Sequence, residues 1–283
     1  MKKIFTALKA AVAMLLLTVV LIAVSADVLS LRPLAPSDQD IPQTSDPENI
    51  PNNDIQRPDD PSEDIPNWSI IPTVVRNTLT DTSGNILCET RYSYPCASAN
   101  DSSDISSFVS ALDMISGEIK NYVEKRSELY KTGSQSDFSV PPQITGYYTV
   151  NRFSTELFSV TFVFSEISPE GNVGLTKFSY NLDLLLSSRT ITIDAVLNDP
   201  INTVSKALLK LENSGELALF SNYEKILASA VNDVWHVDTD RITFTFPAGK
   251  IAPMSSGEIS VSVKGQELVE SLSEYGKILM NVS

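Results

Sequence analysis

Two short segments near the C-terminus alternate apolar and polar residues so regularly that they constrain the fold more than any other part of the chain. They read ITFTF from Ile242 and ISVSV from Ile259. A period of two is typical of strands with one buried face. A loop from Pro247 to Glu258 joins them, so the sequence predicts a β-hairpin within the stretch from Trp235 to Leu268.

The loop of this hairpin is rich in residues that fix or permit unusual backbone angles: Pro247, Gly249, Pro253 and Gly257. Its centre, Lys250 to Gly257, places apolar residues between the two strands. Two interpretations stay open: the tip folds back onto the core, or it is offered to a partner.

Four longer segments before the hairpin alternate in the same way and predict further strands. They are Ile86 to Tyr94, Ile144 to Asn151, Leu157 to Phe164 and Leu175 to Leu184. A short strand is predicted at Thr190 to Ile193. Turn-forming residues separate the last three long segments, so these are expected to be antiparallel neighbours.

Helical spacing of apolar residues predicts helices between and after the strands. The first follows Ser102 and Ser103 and carries one apolar stripe, and a serine or aspartate just ahead of the stripe supplies the N-cap. The stripe is Phe108, Leu112, Ile115, Ile119, Tyr122 and Val123. Others are predicted to start at Asp199-Pro200, to run from Glu216 to about Val231, and to close the chain after Leu268. Strands in runs with helices grouped between them predict an α+β fold, an antiparallel sheet packed with a few helices.

The two cysteines, Cys88 and Cys96, would form a natural disulfide in an exported protein. The predicted strand argues against it, because eight residues at about 3.3 Å each separate the two Cα atoms by roughly 26 Å. A disulfide tolerates less than about 7 Å. We therefore expect two free thiols, and the disulfide stays open as the alternative.

Residues 1–26 are predicted to be a signal peptide or a membrane anchor. Lys2 and Lys3 precede an apolar run from Ala10 to Val24 in which only Thr18 is polar. Small residues at 24–26 suit cleavage, whereas counting from Ile4 to Val24 reaches the ~20 residues that a spanning helix needs. In both cases the chain from Asp27 onward is expected outside the cytoplasm, secreted or anchored to the cell membrane.

Residues 27–75 are predicted to form a disordered linker, and residues 76–283 one folded domain. Between residues 32 and 66 there are eight prolines and nine acidic residues but only two basic ones, Arg32 and Arg57. Such a composition buries too little apolar surface to offset chain entropy, and it keeps the segment extended.

The formal net charge of −14 bears on the choice of partners. A chain of this sign repels nucleic acid and anionic lipid headgroups and attracts basic proteins. We therefore exclude nucleic acid as a partner.

The sequence offers little for catalysis. His236 is the only histidine, so a zinc site or a triad that needs a second one is excluded. A glycosidase needs only two placed carboxylates, and the candidates are Asp183, Asp194, Asp238 and Asp240. With thirty-five acidic residues, pairs arise by chance, and turn caps or a solvated face explain each candidate. We predict no catalytic, cofactor-binding or metal-binding residue and no enzyme activity.

Three stretches resemble the paired domains of unknown function in RsiV-type anti-sigma factors, which also precede the catalytic domain of PdaC-type peptidoglycan deacetylases. They are RYSYP from Arg91, FSYNLD from Phe178, and the segment from Trp235 through KIAP at Lys250 to Gly257. The resemblance covers roughly residues 85–270. It implies an α+β fold outside the membrane and, in the RsiV type, lysozyme binding followed by proteolysis that releases a sigma factor.

Two departures limit what this resemblance implies. Only Met1 to Lys9 could lie in the cytoplasm, too short a segment to hold a sigma factor. The glycine- and histidine-rich turn of the family corresponds to EGNVG from Glu170, which has no histidine.

Three functions follow as hypotheses. The first is a non-catalytic binding or sensing module at the cell envelope, whose partner is lysozyme or a cell-wall fragment. The second is the same module with another protein of the same cell as its partner. The alternative is a carboxylate-only hydrolase of cell-wall glycan.

Overall fold

The computed structural model describes residues 68–99, 105–131 and 141–282. All of them belong to one compact unit, Asp59–Ser283. The predicted signal or anchor at residues 1–26 and most of the predicted linker lie outside the described residues. The linker boundary at residue 75 was placed too late, because the first strand begins at Trp68.

The larger sheet has six strands in sequence order. They are β1 (Trp68–Thr80), β2 (Ile86–Ala99), β3 (Gln143–Phe153), β4 (Leu157–Ile167), β5 (Val173–Asp183) and β6 (Arg189–Thr190). Neighbours are antiparallel except β2 and β3, which pair in parallel over four residues each. Helix α1 (Ser106–Glu128) connects these two, as a parallel pair requires a crossover. The four long predicted strands are confirmed.

The first core lies between α1 and one face of this sheet. The predicted apolar stripe of α1 packs against the alternating aromatic residues of β4, of which Phe158, Phe162 and Phe164 are almost fully buried. Burying such a side chain stabilises the fold by about 1.5–3 kcal/mol. The predicted cap was wrong: α1 begins after Ile105, which makes no capping side-chain hydrogen bond.

A second, three-stranded sheet contains the hairpin predicted from the sequence. Its strands are β7 (Trp235–Val237), β8 (Arg241–Phe246) and β9 (Ile259–Lys264), all antiparallel. Around it lie α2 (Ile193–Val196), α3 (Pro200–Asn213), α4 (Tyr223–Ala230), α5 (Gly265–Leu268) and α6 (Glu274–Met280). Together they enclose the second core, and the architecture is α+β as predicted.

Two of the predicted elements in this part differ from the structure. Strand β6 ends at Thr190, and Ile193 already belongs to α2. The helix predicted from Glu216 begins only at Tyr223. The segment before Tyr223 is not helical. The backbone N–H of Phe220 in this segment donates to the Ile251 carbonyl in the hairpin loop. The start of α3 is confirmed, since Asp199 accepts from the Asn202 backbone and Pro200 occupies the first turn.

The loop of the hairpin folds back onto the protein. Ile251 and Ala252 are fully buried in the second core, whereas Met254 is 74% exposed. Of the two interpretations of this loop, folding back onto the core applies to Ile251 and Ala252. Both sides of this buried pair are exposed, with Lys250 before it and Pro253 to Ser256 after it.

A buried polar joint connects the two sheets. The Asn181 amide nitrogen donates to the Trp235 carbonyl (3.0 Å), and its oxygen accepts from the Ser159 hydroxyl (2.7 Å). The Ser159 oxygen in turn accepts from the Val237 backbone N–H (3.3 Å). The second sheet is thereby attached to one end of the sheet face that points away from α1.

Candidate functional site: the open sheet face

Among the residues that the structure describes, the face of the larger sheet opposite α1 is covered at one end only. Leu157 and Ser159 of β4 are buried there, beside the polar joint, whereas Val163, Ser165 and Ile167 farther along the strand are only half-buried. We call the uncovered part the open sheet face. Its exposed residues include Val74, Arg76, Arg91, Thr145, Tyr147, Val173 and Leu175.

Strand register places these side chains on one surface. Arg76 pairs with Arg91, Arg91 with Thr145, Thr145 with Ser165, and Ser165 with Leu175, which forms one row across five strands. Directly paired residues project from the same side of a sheet. The row is therefore a continuous surface on the side away from α1.

Large apolar side chains on this surface are unusually exposed. Val74, Tyr147, Val173 and Leu175 are 55–65% exposed. Grouped exposed apolar side chains with polar neighbours are typical of interaction sites. The open sheet face is thus the best candidate for a binding surface among the described residues.

A cavity of about 340 Å³ lies on this face where β1, β2 and β3 meet. Arg76 and Arg91 line it from two strands, with Glu89, Gln143 and Thr145 beside them. The parallel pairing of β2 and β3 ends one residue beyond Arg91 and Thr145, so the two strands separate next to the cavity. Sequence reasoning missed this site because it assigned part of β1 to the linker, which hid the pairing of the two arginines.

The lone histidine has a packing role. Its side chain is 17% exposed, and Nε2 lies 3.7 Å from Asp238 Oδ2. Nδ1 of His236 is buried without a hydrogen-bond partner among the described residues. Burial lowers the pKa of His236 against the opposing effect of Asp238, and nearby Lys177 lowers it further.

This lowered pKa predicts a pH-dependent stability. The unfolded chain takes up a proton as the pH falls below about 6.5, while the folded imidazole resists it. The free energy of unfolding is therefore expected to fall with pH from that point until the lower folded-state pKa is reached. Urea unfolding of the wild type and His236→Gln between about pH 7.5 and 5 checks this; equal slopes in both proteins would contradict it.

The four carboxylates considered for hydrolysis hold separate local partners. Asp183 is 3% exposed and accepts from two backbone N–H groups after β5 and from the Tyr275 hydroxyl. Asp194 accepts from the Asn232 amide. The other two lie beside the second sheet: Asp240 pairs with Arg241 at 2.8 Å, and Asp238 lies next to His236. The structure therefore brings only His236 and Asp238 together among the residues considered for chemistry.

Cys88 and Cys96 both carry free thiols in the described part of β2, as predicted. Cys88 is fully buried, and burial, followed by the nearby Glu166 and Glu89 carboxylates, raises the pKa of its thiol to about 11. Cys96 is half-buried, and its sulfur lies 3.1 Å from the Thr73 hydroxyl.

The two thiols are expected to differ in reactivity, because the thiolate is the nucleophile and needs access to reagent. Iodoacetamide at about pH 8 should modify Cys96 in the folded protein and Cys88 only after unfolding. Peptide mass spectrometry measures both sites in one sample. Equal rates of modification in the folded state would contradict the buried position of Cys88.

Within the three described ranges, no group of three or more His, Cys, Asp or Glu residues is arranged to hold a metal ion. No helix in those ranges is long and apolar enough to cross a membrane.

Comparisons with known proteins identify similar folds. No family model and no curated protein matches the sequence. A solved structure from Bacteroides fragilis, a member of the DUF3298 family, superposes with a TM-score of 0.52 at 13% identity, over 75% of this chain and 96% of that one. A DUF3298 protein from Pseudomonas aeruginosa has a TM-score of 0.45 at 9% identity, with the same coverage. The first of these two likenesses shows a shared fold.

Proposed function

We propose that this chain is a non-catalytic binding or sensing module at the cell envelope and that it binds its ligand on the open sheet face. The observation that carries the proposal is the exposure of Tyr147, Val173 and Leu175 beside an arginine-lined cavity. An apolar and aromatic surface with a few polar groups is typical of ligand recognition. The export or anchor pattern of residues 1–26 supports a location outside the cytoplasm.

Two ligand classes fit an envelope location. Cell-wall material offers sugar rings and carboxylates, which suit aromatic and arginine side chains. Lysozyme is basic, and the net charge of −14 together with the resemblance to RsiV-type proteins supports it as the protein partner.

The partners held by Asp183, Asp194 and Asp240 support binding over glycan hydrolysis. A carboxylate that caps a turn, or that pairs with an adjacent arginine, already has a structural role. No specific observation favours the hydrolase.

Binding to whole wall material and to lysozyme tests this proposal. The full chain is mixed with purified peptidoglycan sacculi and sedimented, and it is titrated separately with lysozyme at low and at moderate salt. We expect one of the two to bind at moderate salt, where weak surface attraction is screened. Absence of binding to both, at either salt concentration, would overturn the proposal.

A further inference from the structure

The arginine pair of the open sheet face lacks the carboxylates that arginines usually find. Arg76 and Arg91 make no ion pair within 4.0 Å among the described residues, whereas Arg126 and Arg241 pair with Glu166 and Asp240. Like charges placed directly opposite each other in a sheet repel. The fold therefore keeps two exposed positive charges side by side, at a cost that an anion would relieve.

The surroundings of the pair set the charge of that anion. The Gln143 amide donates to one oxygen of Glu89 (3.3 Å), and this carboxylate lines the same cavity. Two guanidinium groups and one carboxylate leave a net charge of +1. A singly charged anion balances it, whereas a phosphate dianion would exceed it.

The shape of the site also favours a carboxylate. Guanidinium groups are planar forks that match the two oxygens of a carboxylate. The cavity of about 340 Å³ lies at the lower end of the range for ligand pockets, so it holds a small group rather than a whole ligand. Tyr147 follows Thr145 on the same face of β3 and is 58% exposed. Its ring offers a flat apolar surface to the rest of the ligand.

We propose that Arg76 and Arg91 form a carboxylate-binding site for an acidic sugar or glycopeptide of the cell wall, with the carboxylate on the arginines and a sugar ring against Tyr147. This proposal rests on the proposed function, since the envelope location supplies ligands of that chemistry. It selects the wall fragment over lysozyme as the ligand of this face, because the net positive charge of the site disfavours a basic protein.

Two matched sugars test the proposal with the full-length chain. N-acetylglucosaminyl-N-acetylmuramic acid carries a carboxylate, whereas N,N′-diacetylchitobiose has similar N-acetylated rings without it. We expect the Kd of the acid to be at least tenfold lower than that of N,N′-diacetylchitobiose by calorimetry or NMR titration. Arg76→Gln and Arg91→Gln should each weaken binding of the acid by tenfold or more. Arg189→Gln, an exposed arginine of β6 away from the site, should leave binding unchanged.

Equal affinity for the two sugars, or no effect of Arg76→Gln and Arg91→Gln, would overturn the proposal, as would absence of binding. Stronger competition by inorganic phosphate than by lactate would assign the pair to a phosphate and equally overturn it. An unchanged melting curve shows that the Arg76→Gln variant is folded. Sacculus binding by the wild type distinguishes failure of this inference from failure of the proposed function. If the wild type binds sacculi but the arginine variants do not change the affinity for the acid, only this inference fails.

Discussion

Replacing Gly146 with alanine is expected to lower the free energy of unfolding by about 1–3 kcal/mol, the usual cost of overpacking a core. Gly146 lies in β3 directly opposite Phe164 of β4. A Cβ atom there would lie 2.3 Å from Phe164 Cε1 and 2.6 Å from Cδ1, and the ring cannot move away because it is packed against Tyr122 and Phe178. Urea unfolding of the purified variant measures the change.

Gly174 is the matched control, because it also lies in a strand of the same sheet. Its nearest neighbour to an added Cβ is the Glu166 carbonyl at 4.0 Å, an ordinary contact. Alanine reduces the entropy of the unfolded chain, so Gly174→Ala should raise stability by up to about 0.5–1 kcal/mol. In a double-mutant cycle with Phe164→Leu, the double variant should lose less stability than the sum of the two single variants, because the smaller side chain leaves room for the added Cβ. Similar changes in the free energy of unfolding for both glycine variants would contradict the close approach of Gly146 to the Phe164 ring.

Replacing Asn181 with alanine is expected to cost about 2–4 kcal/mol, since a buried polar group left unpaired costs about 1–3 kcal/mol. Asn181 is 2% exposed and carries two hydrogen bonds of the joint between the sheets. Its loss leaves the Trp235 carbonyl and the Ser159 hydroxyl without these partners. We expect the second sheet to loosen first, so hydrogen exchange should accelerate in β7 more than in β4.

Asn151 provides the control for this joint. It is half-buried on the same sheet face and donates one hydrogen bond, to the Thr161 hydroxyl at 2.9 Å. A single side-chain hydrogen bond of this kind contributes about 0.5–1.5 kcal/mol. An Asn151→Ala variant as unstable as Asn181→Ala would show that the joint has no special role.

The local spacing of apolar residues was sufficient to predict most helices and strands, because each of these elements buries one face. The alternation in β4 predicted both the strand and its buried residues, and the stripe of α1 predicted the helix that covers them. β1 was missed because Pro72 interrupts its alternation and the preceding residues have the composition of a linker. Proline is tolerated there because β1 is the edge strand of the sheet.

The candidate site depended on information that no local pattern contains. Alternation placed Glu89 and Arg91 on one face of β2, but the pairing of Arg91 with Arg76 required the register of a strand that was not predicted. Whether a sheet face is covered depends on where distant elements pack. The hairpin loop illustrates the same limit, since only the structure shows Ile251 buried and Met254 exposed.

Two double variants test the claim that the ligand binds on the open sheet face. Val173→Gln with Leu175→Gln alters this face, and Met254→Gln with Ile278→Gln alters the hairpin tip and α6 at comparable exposure. Sedimentation with sacculi and titration with lysozyme measure the affinity of each for whichever ligand the wild type binds. We expect the first variant to bind at least tenfold more weakly, about 1.4 kcal/mol, and the second to bind as the wild type does. Weakened binding of the second variant alone would contradict the claim and assign the binding surface to the hairpin side of the molecule.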